Sequence, residues 1–237
     1  FNVKLNAMIC GMIPGKFCAM PLAGDQGAGL GVYQYYNGDL VWPDHLFWGH
    51  RDPIVLDNQP NNMINGTIED VKNCLFNSGM VNIVRGSMEF GPRALCHTTT
   101  LGLPNLGVAE RINRMNDRTN EMPFALVVTR DQAKELFEDI EKVHKSLEYM
   151  IVTRKFKRGR EKKFLGGAHY YPLTKEYTCR PQITDDPFMV EILNEFGPLI
   201  NTSFNYHGCP IVFDKDQIIH SHLKESEHEK INTIILP

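Results

Sequence analysis

The spacing of apolar and polar positions changes period several times along the chain. Over 67–76, Ile68, Val71, Cys74 and Leu75 fall on one helical stripe, with Thr67 as a cap and Gly79 as a stop. The run 81–84 is short and apolar, which predicts a buried strand. Further helices are predicted over 107–116, 131–149 and 187–196. The second has the longest stripe: Ala133, Leu136, Phe137, Ile140, Val143 and Leu147. The third has Pro187 at its start and Gly197 just past its end. Strands are predicted over 124–128, 149–153, 168–171, 198–202 and 232–236. The opening FNVKLNAMICGMI reads as a strand, then a short helical or irregular piece ending near Pro14. A short strand over 17–21, a tight turn over 24–27 and a helix over 28–35 follow. Helices mixed with short strands define an α/β class.

Turn formers crowd residues 37–66, and the best boundary lies there, separating 1–60 from 61–237. Trp42, Phe47 and Trp48 sit in that segment and read as a packing cluster between the two parts. With 13 Phe, 8 Tyr and 10 Met to bury, disorder along the whole chain is excluded. No apolar run approaches the roughly 20 residues of a membrane helix, so no membrane role is expected. The formal charge of −3 excludes a surface that coats nucleic acid as a whole. The six cysteines show no CxxC pair, so they read as reduced thiols in a cytoplasmic protein. The chain opens at Phe1, inside an apolar stretch, and reads as the C-terminal piece of something longer or as a processed chain.

Chemistry concentrates in two stretches. RGSMEFGPRAL (85–95) follows a predicted strand and holds Arg85, Glu89 and Arg93 among glycines and a proline. Strand ends that run into such loops are where α/β proteins place ligand contacts. A guanidinium fork fits phosphate or carboxylate, and Glu89 can orient one; a solvated loop with one ion pair is the equal alternative. NTSFN (201–205), with HG and PIV at 207–208 and 210–212, ends a second strand in amides and hydroxyls. Such groups suit a small polar ligand such as a carbamoyl or carboxylate.

These stretches resemble motifs of the NodU/CmcH-type O-carbamoyltransferase family. Residues 85–95 resemble GRMEFGPRALG, and 201–212 resemble NTSFN-xHxxPIV. Arg118-Thr119 with 122–125 resembles RTEFMPFAP, and 180–182 matches RPQ. Residues 2–6 and 24–25 resemble the segments FxNVKLN and GDGGLALGAA. The order is kept over nearly the whole chain. The resemblance implies the tail of an actin-like ATPase (Kae1-like) domain, about 1–60, then a YrdC-like α/β domain with a twisted mixed sheet. It implies an enzyme that joins carbamoyl phosphate and ATP, with Mg2+, into carbamoyl-adenylate and passes the carbamoyl to an acceptor hydroxyl on a small molecule or nucleotide. Arg85, Arg93, Arg118 and Arg180 would do the catalytic work, and Glu89, Asn201, Ser203 and Asn205 would bind substrate. Asn6, Gly24 and Asp25 match the nucleotide side. Asp25 also matches a ligand of an iron-type divalent metal whose other ligands lie in the missing N-terminal half.

Three departures stand out. CHTT (96–99) replaces GNRS, Asp117 replaces a lysine, and the aspartate of DGTxRPQ is not evident in 175–179. His97 could supply a donor in place of the lost arginine, and Cys96 and Cys209 read as bystanders. A carbamoyltransferase-like nucleotide-binding scaffold with impaired catalysis is therefore the rival reading. A third is a nucleic-acid-associated protein using the basic run 154–163, which otherwise reads as a solvated hairpin tip. His220 and His222, on a probable helix, face different sides and do not suggest a metal site; 224–230 reads as solvated surface.

Overall fold

Nine strands form one mixed sheet among the residues that the computed structural model describes, 2–38, 45–49, 54, 59–119 and 124–237. They are β1 (Met63–Asn65), β2 (Met80–Arg85), β3 (Thr98–Gly102), β4 (Ala125–Val128), β5 (Arg154–Lys155), β6 (His169–Tyr171), β7 (Glu176–Ile183), β8 (Leu199–Ser203) and β9 (Thr233–Leu236). Their spatial order is β1-β9-β2-β3-β8-β4-β7-β5, with β6 also paired to β7. β9 lies parallel to both β1 and β2, and β4 lies parallel to β7; the remaining pairs are antiparallel. Strands β2 and β4 are buried almost along their length, so they read as mainly apolar runs without alternation.

Among the described residues, seven α-helices accompany the sheet: α1 (Val3–Met12), α2 (Ala28–Asn37), α3 (Ile68–Ser78), α4 (Leu106–Met115), α5 (Arg130–Leu136), α6 (Pro187–Phe196) and α7 (Lys215–Ser226). Each later helix starts where a side chain satisfies a free backbone donor. The Thr67 N–H donates to Asp70 at 2.8 Å, closing a capping box on α3. Asn105 accepts from the Val108 N–H at 2.9 Å on α4, and Asp214 from the Gln217 N–H at 2.8 Å on α7. α4 presses close to β3 because a Cβ at Gly102 would sit 2.7 Å from Ile112. The core on one side gathers Ile112, Phe137, Leu126 and Ile151; the other gathers Val71, Leu75, Leu101 and Ile192. Burying each such side chain contributes about 1.5–3 kcal/mol.

Several expectations are corrected. The opening is helix rather than strand: Asn2 accepts from the Leu5 N–H at 3.0 Å and caps it. The residues 17–21 contribute a single bridge, Phe17 to Val143. The predicted helix over 131–149 stops at Leu136, although Phe137, Ile140, Val143 and Leu147 are all buried. The Glu138 N–H is taken instead by the Lys155 carbonyl at 3.0 Å, and Asp139 and Lys145 adopt positive φ, breaking the chain into two 3-10 turns. A strand over 149–153 is absent, and pairing begins at Arg154. Strands β3 and β7 escape the sequence because Thr and other polar residues fill buried positions there.

The boundary segment straps the loop after β2. The Phe90 N–H donates to the Leu46 carbonyl at 2.6 Å, and the Gly49 N–H to Met88 at 3.0 Å. Phe47 stacks on His97 with centroids 3.5 Å apart, and Trp48 tilts against Phe90. Trp42, expected in the same cluster, lies outside the described residues. In contrast, α1 and α2 leave Met8, Met12, Tyr33, Tyr35 and Tyr36 exposed.

Candidate active site

Sheet register brings two distant polar residues into one row. Ala125 of β4 pairs with Arg180 of β7 on one side and with Asn201 of β8 on the other. Arg180 and Asn201 are thus two strand spacings apart, about 10 Å, on the same face. The loop between β2 and β3 supplies a third residue, Arg93. Its shape is held by Glu89, which is 2% exposed. Glu89 Oε1 accepts from the N–H groups of Leu95 (2.6 Å), His97 (2.8 Å) and Thr98 (3.2 Å), and Oε2 accepts from the Thr98 hydroxyl. The Asn201 amide donates to the Ala94 carbonyl at 2.9 Å and to Gln182, so the loop is seated on β8.

Arg118 arrives from the turn after α4. Asn116 caps that helix, Asp117 turns at φ 50, and the Arg118 N–H returns to the Asn113 carbonyl at 2.8 Å. Its guanidinium donates to Thr202 at 2.9 Å, to Ser203 at 3.2 Å and to Asn205 at 3.2 Å. Arg93, Arg118 and Arg180 therefore line one cleft with Asn201, Thr202 and Ser203, while Pro92, Phe124 and Met150 form apolar walls. Its volume is about 180 Å³, below the roughly 300–1,000 Å³ of a pocket for a drug-sized ligand.

The electrostatics of this cleft are unbalanced. The Nε atoms of Arg93, Arg118 and Arg180 are buried without a hydrogen-bond partner. Burial lowers the pKa of all three, and for Arg180 burial and the neighbouring charge of Arg93 bring it down to about 10. Among the described residues no carboxylate offsets Arg93 or Arg180. Unpaired buried charge is costly, and an anion set among these groups would offset that cost. Phosphate oxygens are the natural match to such forks.

Other expected residues go elsewhere. Arg85 lies in a separate cleft of about 720 Å³ with Asn65, Thr67 and Asp70. It pairs with Asp186, donates to the Cys96 carbonyl at 2.9 Å and stacks on Phe188. Glu89 shapes the loop and is not among the lining residues. Asn205 accepts from Arg118 and donates to the Cys209 carbonyl at 2.7 Å, behind the cleft rather than on its wall. Asn6 ties α1 to the Ile151 carbonyl at 2.8 Å. Gly24 precedes the one-turn helix that carries Asp25, which is exposed; no cluster of three possible metal ligands occurs among the described residues. An iron-type centre at Asp25 would need donors beyond the described residues.

The departing segment 96–99 serves as scaffold. The Cys96 thiol is pushed up to about 12 by burial. His97, held by burial down at about 4, is neutral and bonds to the Ser87 carbonyl, so it does not replace an arginine. Thr99 donates to Asn201 Oδ1 at 3.1 Å. In the basic run, Arg154 is buried against Cys10, Lys155 pairs with Glu176, Lys157 donates to the Lys134 carbonyl and Arg160 pairs with Glu135. Arg158, Lys162 and Lys163 remain exposed. The sequence did not single out Thr202 and Gln182 individually, though both stand inside quoted motifs.

The chain is a mixed α/β domain with a compact arginine-lined cleft on its sheet. The carbamoyltransferase C-terminus model matches residues 72–235, and the chain belongs to that family. It is 29% identical over 203 residues to 3'-hydroxymethylcephem-O-carbamoyltransferase of Amycolatopsis lactamdurans, covering 79% of this chain and 37% of the relative. It is 28% identical over 242 residues to the uncharacterized protein MJ1051 of Methanocaldococcus jannaschii, covering 94% of this chain and 46% of the relative. The chain thus spans less than half the length of these relatives. Its fold is shared with full-length HypF in the phosphate- and nucleotide-bound form, at 20% identity and a TM-score of 0.51, over 68% of this chain and 20% of HypF. The fold is the YrdC-like carbamoyltransferase fold.

Proposed function

We propose that this chain carries the carbamoyl-activating site of an ATP-dependent O-carbamoyltransferase. The observation that carries the reading is the set of three buried arginines with unpartnered Nε atoms around an amide and hydroxyl floor. The phosphate- and nucleotide-bound state named for the similarly folded HypF supports the choice of ligands. Carbamoyl phosphate would set its phosphate among Arg93, Arg118 and Arg180 and its amide end against Asn201 and Ser203. Water splits it into carbamate and phosphate. A carbamate oxygen attacks the α-phosphorus of ATP, and pyrophosphate leaves, so that carbamoyl-adenylate forms. Charge collects on phosphate oxygens throughout, which fixed guanidinium groups stabilise. Mg2+ would arrive with the nucleotide.

Transfer to an acceptor hydroxyl, on a small molecule or nucleotide, would take place with the part that the relatives have beyond this chain. Residues 1–60 would be the tail of that Kae1-like part, a reading supported by the exposed apolar side chains of α1 and α2. Asp25 would give it one metal ligand. The six free cysteines support a reducing, cytoplasmic setting. Among the described residues no helix is long and apolar enough to cross a membrane.

The test is ATP–pyrophosphate exchange dependent on carbamoyl phosphate. Arg93→Ala should abolish exchange with the circular dichroism spectrum unchanged; normal exchange in that variant refutes the role. The scaffold reading draws on Arg118, whose donors are already met by Thr202, Ser203 and Asn205. It requires pyrophosphate binding without exchange in the wild type.

A further inference from the structure

Glu225 stands in a stretch that reads as solvated surface, yet it is wholly buried. It projects from α7 into a closed polar network in the core. Oε2 accepts from the Asn82 amide at 2.5 Å, and Asn82 in turn accepts from the Thr100 hydroxyl at 2.6 Å. With the Asn116 amide turned so that its nitrogen faces acceptors, that nitrogen donates to Glu225 Oε1 at 2.9 Å and to the Asn205 carbonyl at 2.7 Å. Asn116 begins the turn that carries Arg118, and Asn205 accepts from the Arg118 guanidinium. The Asn116 amide therefore links the Glu225 carboxyl to both pieces of chain that set Arg118 against β8.

We propose that Glu225 is a positioning residue for the arginine cleft: acting through Asn116, it holds the 116–118 turn and the Asn205 carbonyl in the register that presents Arg118 to a bound anion. This inference deepens the proposed function and rests on it for the identity of the anion. The clamp itself rests only on the geometry of the network.

The clamp is also a device that senses pH. Burial pushes the Glu225 carboxyl up to about 8, against the opposing pull of the Asn82 hydrogen bond and the Arg118 charge. At neutral pH it is mostly protonated, and the positive field of the cleft is undiminished. Above pH 8 it ionises and offsets the charge of Arg118. The charged groups on neighbouring elements are otherwise engaged. Arg111 and Arg114 of α4 pair with Glu229 at 3.2 and 2.9 Å. His222, on α7 itself, is bonded to Thr233 and to the Asn61 carbonyl. Strands β2 and β9 present Asn82 and Thr233, which do not titrate.

The experiment combines amide hydrogen exchange with calorimetric binding of inorganic pyrophosphate, for the wild type, Glu225→Gln and Glu225→Ala. Glu225→Ala should speed exchange in both 113–119 and 201–206, far apart in sequence, and weaken pyrophosphate at least tenfold at pH 7. Glu225→Gln keeps one of the two acceptors and should recover part of both. From pH 7 to 9 the wild type should lose about threefold more affinity than Glu225→Gln. The titrations of Arg180 and of pyrophosphate itself are common to both proteins. If Glu225→Ala does not fold, Asn116→Ala breaks the same link from its other end. Unchanged exchange in the two segments, or identical pH profiles for wild type and Glu225→Gln, overturns the clamp. Faster exchange in both segments together with no pyrophosphate binding even by the wild type supports the clamp and sinks the proposed function instead.

Discussion

Arg180→Met is expected to make the empty protein more stable and the anion site useless. Methionine keeps much of the unbranched stem, so packing against β4 changes little. What disappears is a buried guanidinium with an unpartnered Nε and Arg93 as its charged neighbour. Its pKa of about 10 lies below the ordinary arginine value. The charged form in the folded chain is therefore disfavoured, by on the order of 3 kcal/mol. The sign follows from linkage. At pH 7, below both the folded and unfolded values, the group is charged in both states, so the full penalty is present. Lost van der Waals contacts reduce the gain, leaving a stabilisation of about 1–3 kcal/mol. Urea unfolding with and without pyrophosphate measures both halves. Without ligand, the variant midpoint should rise at unchanged slope. With pyrophosphate at a hundred times its dissociation constant, the wild type should gain about 2.7 kcal/mol and the variant almost nothing. A variant that is less stable than the wild type yet equally protected by pyrophosphate would refute the reasoning.

Glu225 makes a second, independent statement about stability. Its folded pKa is raised, so the stabilisation it allows is complete below about pH 4 and is lost as pH climbs to 8. Between pH 4 and pH 8 the stability difference should therefore move in favour of Glu225→Gln by on the order of 4 kcal/mol; parallel stability curves would contradict this. Glu89→Ala should destabilise by on the order of 4 kcal/mol in urea, because two buried N–H groups and a half-buried third lose their acceptor. A loss under 1 kcal/mol would mean that the loop keeps its shape without the carboxylate.

The helices with clean signals were legible. Pro187 and Gly197 bracket α6 as the spacing predicts, and Thr67 and Gly79 bracket α3. The stripe over 131–149 misled because helical spacing records which side chains are buried, and these are. It does not record that Lys155 would compete for the backbone of Glu138. At the site, Arg93, Arg118 and Arg180 could be gathered from motifs, yet nothing local separates them from Arg85. Only the Asp186 carboxylate, brought by folding to the end of β2, takes Arg85 out of the group. Glu225 was hidden for the same reason, since its neighbours Lys224 and Glu227 are a surface pair.

Glu89 grips main-chain N–H groups at positions 95, 97 and 98. Every residue except proline brings the same donor to such a grip, whatever its side chain. The carboxylate's hold on the tip that delivers Arg93 is therefore written in main chain, while the side chains of Leu95 and His97 are left to pack in the core and against Phe47.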